Sequence, residues 1–365
     1  MILLSSIIKA FESRLIEKYG DSILPSHHKA LAAMKICRSE FSPIMMAQCT
    51  NQDCQHIETI PHSCGHRNCP HCQHHESQQW IENQLNKLVP AKYYMVTFTL
   101  PWQFRQVTWE NQREMYALFF SCVKKVLTTF TKNDKKLQGE PGLMMILHTN
   151  SRELTFHPHI HVVMPAASID KKKKRWRVKS SKYLFDHKAL AIVFRAILLK
   201  EMDTYNLPIP KQYPKKWVVD CKSVGKGEKA IIYLGKYLYK GVIQEKDILK
   251  NENGNITYRF INSKTQKYQI KTVSGEDFLW LLLQHILPKG FRRVRNFGFL
   301  NSRSKQLIKL LQYLLKLNPA DFLKKLKQRP KIRCRSCGSP MEIIQTMIEY
   351  LPLHIALIPT QVTGD

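Results

Sequence analysis

Six of the ten cysteines in this chain fall between positions 37 and 72, and two more, Cys334 and Cys337, form a late pair. A stretch so rich in thiols needs cross-links or a metal to hold it. Disulfides persist in oxidising compartments, but residues 1–9 carry no basic segment ahead of their few apolar residues, so no signal peptide is expected. Clustering of this kind points to zinc, the alternative being reduced cysteines in a small core. Cys49-x4-Cys54 is followed, after fourteen residues, by Cys69-Pro-His-Cys72. Two such pairs can fold back to place four thiolates around one tetrahedral Zn²⁺. Cys49, Cys54, Cys69 and Cys72 are therefore the expected ligands. Cys37, Cys64, His62 and His66 stay open as a swapped ligand or a second site, and the late pair as half a site completed by His354 or by the N-terminal cluster. Four thiolates leave no open position, so this ion should organise a module and perform no chemistry. Cys122 and Cys221 stand alone and read as buried thiols.

Charge narrows the partners. Lysine and arginine number 57 against 28 acids, a formal net charge of +29. That much self-repulsion destabilises a compact chain unless a polyanion is near, and nucleic acid is the usual one, because lysine and arginine displace counterions condensed on phosphates. An anionic membrane is the competitor. The longest apolar run, Phe278–Leu287, is interrupted by Gln284 and His285 and is too short to span a bilayer. The expectation is a cytoplasmic protein with DNA as its partner, no membrane partner and an oligomeric state left open. Lys35, Arg38 and Arg67 would bring the cysteine module to that DNA. The basic run around Lys172 and Arg175 reads equally as a solvated loop or a DNA-contacting one.

Periodicity predicts helices over 4–19, 74–88, 109–130, 187–203 and 228–239, and strands over 93–100, 143–149, 154–163, 217–223, 256–261 and 268–272. Strands and helices interleaved with hairpins indicate an α+β fold. The 143–149 and 154–163 strands are joined by Asn150-Ser151-Arg152-Glu153, which reads as a tight hairpin. The second carries His157-Pro158-His159-Ile160-His161. Alternation puts its histidines on one face of a rigid strand, a pattern that core packing does not explain and that suits a divalent cation. Downstream, Tyr233-Leu-Gly-Lys-Tyr237 sets two tyrosines four apart, on one helix face.

A histidine–hydrophobe–histidine strand with a paired-tyrosine helix resembles the HUH endonuclease superfamily. Within it the chain is similar to the two-tyrosine rolling-circle transposases of the insertion sequence 91 family. The resemblance extends to Ser63-Cys64-Gly-His-Arg67-Asn-Cys69-Pro-His-Cys72, like that family's N-terminal zinc-binding domain, to Phe98-Thr99-Leu100-Pro101 and Leu147-His148-Thr149, and to the basic signature Leu287–Leu300. It implies an antiparallel sheet flanked by helices, with the histidines on a central strand. It also implies a DNA transposase in which Tyr233 and Tyr237 attack single-stranded or hairpin element ends to give 5′-phosphotyrosine links. Mg²⁺ or Mn²⁺ would be held by His159 and His161, and Lys236 or Lys240 would ease loss of the phenolic proton. His148 is the expected third ligand, because a turn at 150–153 would pair it with Thr155 and turn it to the histidine face; His157, Glu153 and Glu228 are its rivals. Lys289, Arg292, Arg293 and Arg295 would contact phosphates. The resulting division is a helical and zinc-binding module over 1–90, a catalytic domain over 91–245, a basic part over 246–320 and a tail over 321–365. A rolling-circle replication initiator or relaxase shares this chemistry, and a non-catalytic zinc-containing DNA binder would account for the charge and cysteines alone.

Overall fold

A computed structural model of the protein describes residues 2–347, apart from 40, 73, 171, 239–240, 263–264, 325 and 327–331. Helices α1 (Leu4–Tyr19) and α2 (Pro25–Lys35) precede a hairpin, β1 (Ile44–Cys49) and β2 (Ile57–Pro61), and helix α3 (His74–Leu85). Then come β3 (Tyr93–Thr99), α4 (Arg105–Glu110), α5 (Gln112–Asn133), β4 (Glu140–Asn150), β5 (Phe156–Pro165), β6 (Ala167–Asp170) and β7 (Arg175–Val178). Helix α6 (His187–Thr204), β8 (Val219–Ser223) and α7 (Glu228–Leu238) follow. The chain continues with β9 (Ile248–Glu252), β10 (Asn255–Ile261), β11 (Tyr268–Ser274), α8 (Gly275–Leu283), β12 (Val294–Gly298), α9 (Lys305–Leu314), α10 (Ala320–Leu323) and β13 (Met341–Met347).

Seven strands form one antiparallel sheet in the order β7-β6-β4-β5-β3-β8, with β12 also pairing β4. The expected α+β class is what the structure shows, and the histidine strand β5 lies inside the sheet. Both faces are covered, which is why β4 and the end of β5 read as nearly continuous apolar runs. On one face Phe98, Met145, Leu147, Ile160 and Val162 pack against Phe119, Phe120 and Val123 of α5 and Phe194 and Leu198 of α6. On the other, Met144, Ile146 and Val163 pack with Ile81 and Leu85 of α3 and Ile231, Leu234 and Leu238 of α7. The predicted helix over 109–130 is two helices, because Asn111 leaves helical geometry at φ −124° and its amide donates to the Val107 carbonyl at 3.0 Å.

Helices α1 and α2 pack with α8 and the β9-β10-β11 sheet, through Ile7, Phe11, Leu31, Tyr258 and Phe278, and Cys37, Cys69 and Cys72 belong to this same cluster. Strand β12, from the basic part, completes the central sheet. Strand β13 returns to pair with β1 in a separate sheet, β13-β1-β2. No helix among the described residues is long and apolar enough to cross a membrane.

Helix α7 is seated by a close approach. A Cβ on Gly235 would lie 2.2 Å from Ile81 Cγ1, and the Gly235 carbonyl accepts from Ser77 Oγ at 2.9 Å. Glycine is required here because α3 and α7 touch backbone to side chain. Gly235→Ala should overpack this contact and destabilise the fold by about 1–3 kcal/mol, read as a lower denaturant midpoint. Adding Ile81→Ala should restore less than its own cavity cost would remove elsewhere, so the pair should be clearly non-additive; additive losses would show that Gly235 does not meet Ile81.

Candidate metal centre and its supports

Strand β4 pairs with β5 so that Met144, Ile146 and His148 lie opposite Val163, His161 and His159. These six residues share one sheet face, the face on which α7 packs. His148 faces His159 and not Thr155 as the tight turn would have it. The connection is a five-residue loop closed by Ser151 N to Thr155 O at 2.9 Å, with an irregularity between His148 and Asn150 and Leu154 at φ +67° with its side chain buried. Pairing is thereby displaced four residues along β5. Because four is even, His148 keeps the face that alternation assigned to it.

The result is a cluster in which one ligand atom from each of His148, His159 and His161 lies within 4.8 Å of the others. Ring centroids are 5.2 Å apart for His148 and His159, 4.6 Å for His148 and His161, and 4.9 Å for His159 and His161. His159 Nδ1 donates to the His157 carbonyl at 2.7 Å, and His161 Nδ1 meets Thr97 Oγ1 at 2.9 Å. The carbonyl fixes the His159 proton on Nδ1 and so leaves its Nε2 lone pair for a metal, and the Thr97 hydroxyl, when it accepts, does the same for His161, the usual way an outer partner sets tautomer and ring direction. Burial lowers all three pKa values. His161 is pushed to about 3 by burial, then by His159 and Lys222. His148 is driven well below its ordinary value by burial, then by its two histidine neighbours and Arg293. His159 is lowered by burial, with its bond to the His157 carbonyl opposing. Neutral imidazoles are the form that binds metal, so the donor set fits a divalent cation.

Of the rivals, none belongs to this cluster. His157 Nδ1 accepts from Arg105 Nη2 at 3.0 Å, and Glu153 is exposed at the loop tip. Thr97 was not singled out from sequence. Its strand and inward parity were legible, but the register that places it against His161 was not.

Tyr233 is 55% exposed on α7. Tyr237 is on the same helix, one turn on, and its side chain lies outside the described residues, as do Tyr239, Lys240 and His354.

The cysteines do not group as their spacing suggested. Cys69 and Cys72 join Cys37 and Cys64, while Cys49 and Cys54 join Cys334 and Cys337. Spacing along the chain hides the reason, which is that β1 and β2 hold Cys49 and Cys54 against β13, whereas the loop after β2 returns to the end of α2. In the first cluster Cys37 Sγ is 3.5 Å from Cys69 Sγ and 3.6 Å from Cys72 Sγ, and Cys64 Sγ is 3.7 Å from Cys72 Sγ. Sulfurs bound to one tetrahedral zinc at about 2.3 Å stand about 3.8 Å apart, so four thiolates here suit that ion. His62 and His66 are in neither cluster, and His66 Nδ1 accepts from the Asn68 amide at 3.3 Å.

The basic signature is partly structural. Arg293 donates to the Leu238 carbonyl at 3.4 Å and the His285 carbonyl at 3.2 Å, tying the end of α7 to the segment after α8. The Arg295 guanidinium lies over the Phe120 and Phe291 rings, at 4.5 and 4.9 Å. Lys289 and Arg292 are exposed. Lys172 and Arg175 are exposed on the β6–β7 hairpin, which meets β4 at Pro141, roughly 23 Å along the strand from His148.

Comparison with known proteins decides what kind of chain this is. A family described as "Putative transposase" matches residues 142–307, and the "Transposase zinc-binding domain" matches residues 7–100. The "Putative transposase y4qJ" of Sinorhizobium fredii is 25% identical over 80% of this chain and 80% of its own length. The "Transposase for insertion sequence element IS801" of Pseudomonas savastanoi pv. phaseolicola is 26% identical over 86% of this chain and 82% of its own. The chain belongs to the insertion sequence 91 family of transposases. A conjugative relaxase TrwC structure in complex with oriT DNA covers 62% of the transposase and 72% of its own chain, at 11% identity and a TM-score of 0.27, too low to carry an argument. The first matched span of the transposase holds the three clustered histidines, both tyrosines and the basic signature. The zinc-binding span holds Cys37, Cys64, Cys69 and Cys72 but not Cys334 or Cys337.

His285, missed in the sequence beyond its interruption of an apolar run, knits these parts together. It is fully buried; Nε2 meets the Leu154 carbonyl at 2.9 Å, Nδ1 meets Thr149 Oγ1 at 3.3 Å, and its own carbonyl accepts from Asn68 Nδ2 at 3.3 Å. Burial holds its pKa at about 4. The folded value lies below the unfolded one, about 6.5. The unfolded chain therefore binds more protons between these limits, and the contribution of a neutral His285, complete above pH 6.5, is lost as pH falls toward 4, by about 3 kcal/mol. His285→Gln should flatten the fall in denaturant midpoint between pH 6.5 and 4. An unchanged slope would mean that His285 is not held neutral.

Proposed function

We propose that this transposase nicks and rejoins single-stranded DNA at its element ends through 5′-phosphotyrosine links to Tyr233 and Tyr237, with Mg²⁺ or Mn²⁺ held by His148, His159 and His161. The observation that carries this is the packing of the two-tyrosine helix α7 on the sheet face that presents the three imidazoles.

Three neutral nitrogen donors leave the remaining positions of a hard cation to phosphate oxygens and water, which such ions prefer. When bound, the cation neutralises a non-bridging phosphate oxygen and aligns the scissile bond for in-line attack. The chain's own groups do the rest. A tyrosine Oη forms the new bond to phosphorus as its proton leaves, and the bond from phosphorus to the 3′ oxygen breaks, giving a 3′-hydroxyl once that oxygen is protonated. Rejoining reverses these changes, with a 3′-hydroxyl attacking phosphorus and the phenol leaving, so the phosphotyrosine preserves the bond energy. Two tyrosines permit a second strand to be cut while the first stays attached. Lys236, exposed on the same helix, or Lys240 would favour the phenolate. Thr97 holds the His161 ring, and Lys289 and Arg292 contact phosphates without reading bases.

Tyr233→Phe and Tyr237→Phe should each retain some covalent oligonucleotide adduct on a denaturing gel, and the double variant none; adduct from the double variant would move the nucleophile elsewhere. His148→Ala should weaken the Mn²⁺ dependence of cleavage, as should Thr97→Val, by about 10-fold or more. Unchanged Mn²⁺ dependence in His148→Ala, with loss in Glu153→Ala or Glu228→Ala, would exclude His148 as a ligand. Replacing Lys289 and Arg292 with alanine should lower the slope of log affinity against log salt by roughly 1 to 2, for unrelated sequences as well as element ends. A loss confined to one sequence would indicate base readout.

A further inference from the structure

Cys49 and Cys54 come from the N-terminal hairpin, Cys334 and Cys337 from a turn some 280 residues later, as the separation of Cys54 and Cys334 records. We propose that these four thiolates bind a second structural Zn²⁺, a clasp that fastens the C-terminal strand β13 to the N-terminal hairpin and is distinct from the Cys37, Cys64, Cys69 and Cys72 site.

The geometry is that of a closed tetrahedral site. All four sulfurs lie within 4.8 Å of one another, with Cys49 Sγ 3.4 Å from Cys337 Sγ and Cys54 Sγ 3.8 Å from Cys334 Sγ. These separations lie at or a little below the value of about 3.8 Å for thiolates on one zinc and greatly exceed a disulfide bond of about 2.05 Å. Each pair is presented by a tight turn of the kind that aims two sulfurs at one point. Cys54 N donates to the Asn51 carbonyl at 3.1 Å and Cys49 N to the His56 carbonyl at 2.9 Å. Opposite them, Cys334 N donates to the Ser339 carbonyl at 2.8 Å and Gly338 N to the Cys334 carbonyl at 2.9 Å, with Gly338 at φ +75° where glycine is favoured.

Packing explains why a metal is needed. Among the described residues, the buried apolar cluster at this sheet comprises Ala47, Cys49, Cys334 and Met341, with Cys54, Ile60 and Ile332 half-buried beside it. Ile57, Ile343 and Ile344 are exposed on the same three strands. So small a core does not hold a three-stranded sheet by burial alone, and small units of this kind use a metal as a staple. Strand pairing between β1 and β13 and the ion pair of Arg335 with Glu58 at 2.8 Å align the two turns, and four thiolates then close the site. Binding releases the protons that the thiols carry.

The test counts thiolate-bound zinc in the full chain. His159→Ala and His161→Ala are combined in the background so that the histidine site does not contribute, and zinc is displaced with a mercurial and read with a chromophoric chelator. The proposal expects two zinc ions per chain, falling to one in Cys334→Ser/Cys337→Ser and to one in Cys69→Ser/Cys72→Ser. One ion in the parent, or two remaining after loss of Cys334 and Cys337, overturns it. Should the double variant be insoluble, Cys337→His decides in the Co²⁺-loaded chain. A shift of about half the visible absorbance toward a three-sulfur, one-nitrogen site supports the clasp, and an unchanged spectrum overturns it.

Discussion

The pairing of Ile146-Leu147-His148 with His159-Ile160-His161 is the constraint on which the site depends. A sheet ladder fixes side chains at alternate positions to within the pleat, so three imidazoles converge without any loop having to order itself. Burial then keeps them neutral, and the Thr97 hydroxyl and the His157 carbonyl turn two of the rings. The apolar neighbours on that face, Met144, Ile146 and Val163, are what bind the tyrosine helix. The three imidazoles and the helix that carries Tyr233 are thus joined through one packed surface.

Around that surface the N-terminal zinc-binding domain acts as a brace. Helix α3 holds α7 through Gly235 and Ser77, and a Cβ on Gly241, just beyond α7, would lie 2.6 Å from the Asn68 carbonyl in the loop that carries Cys69. Asn68 and Arg293 both bond the His285 carbonyl, and His285 bonds the β4–β5 loop. Part of the basic signature is therefore spent on positioning. Arg293 fastens the end of α7 and Arg295 lies over two phenylalanine rings, whereas Lys289 and Arg292 are exposed.

Much of this was legible locally. Helix α1 follows from apolar spacing, β3 from its β-branched and aromatic content, and the common face of the histidines from alternation alone. What failed was non-local. The wrong turn still gave His148 the right face because an even displacement preserves parity, while Thr97, His285 and Gly235 matter only through partners distant in sequence. The cysteine pairs were grouped by proximity along the chain, but strand pairing of β1 with β13 sorts them differently. Short strands such as β6 and β7 carry too few residues to show a period.

The central claim is that the three imidazoles and the tyrosine helix serve one phosphate. It is tested most directly by crystals of the full chain trapped with an oligonucleotide whose 3′ fragment cannot rejoin, grown with Mn²⁺ and measured at the manganese absorption edge. The account predicts an anomalous peak among His148, His159 and His161, bridged by a phosphate oxygen to a phosphodiester on Tyr233 or Tyr237. A peak away from these rings, or DNA joined to a residue outside α7, would contradict it.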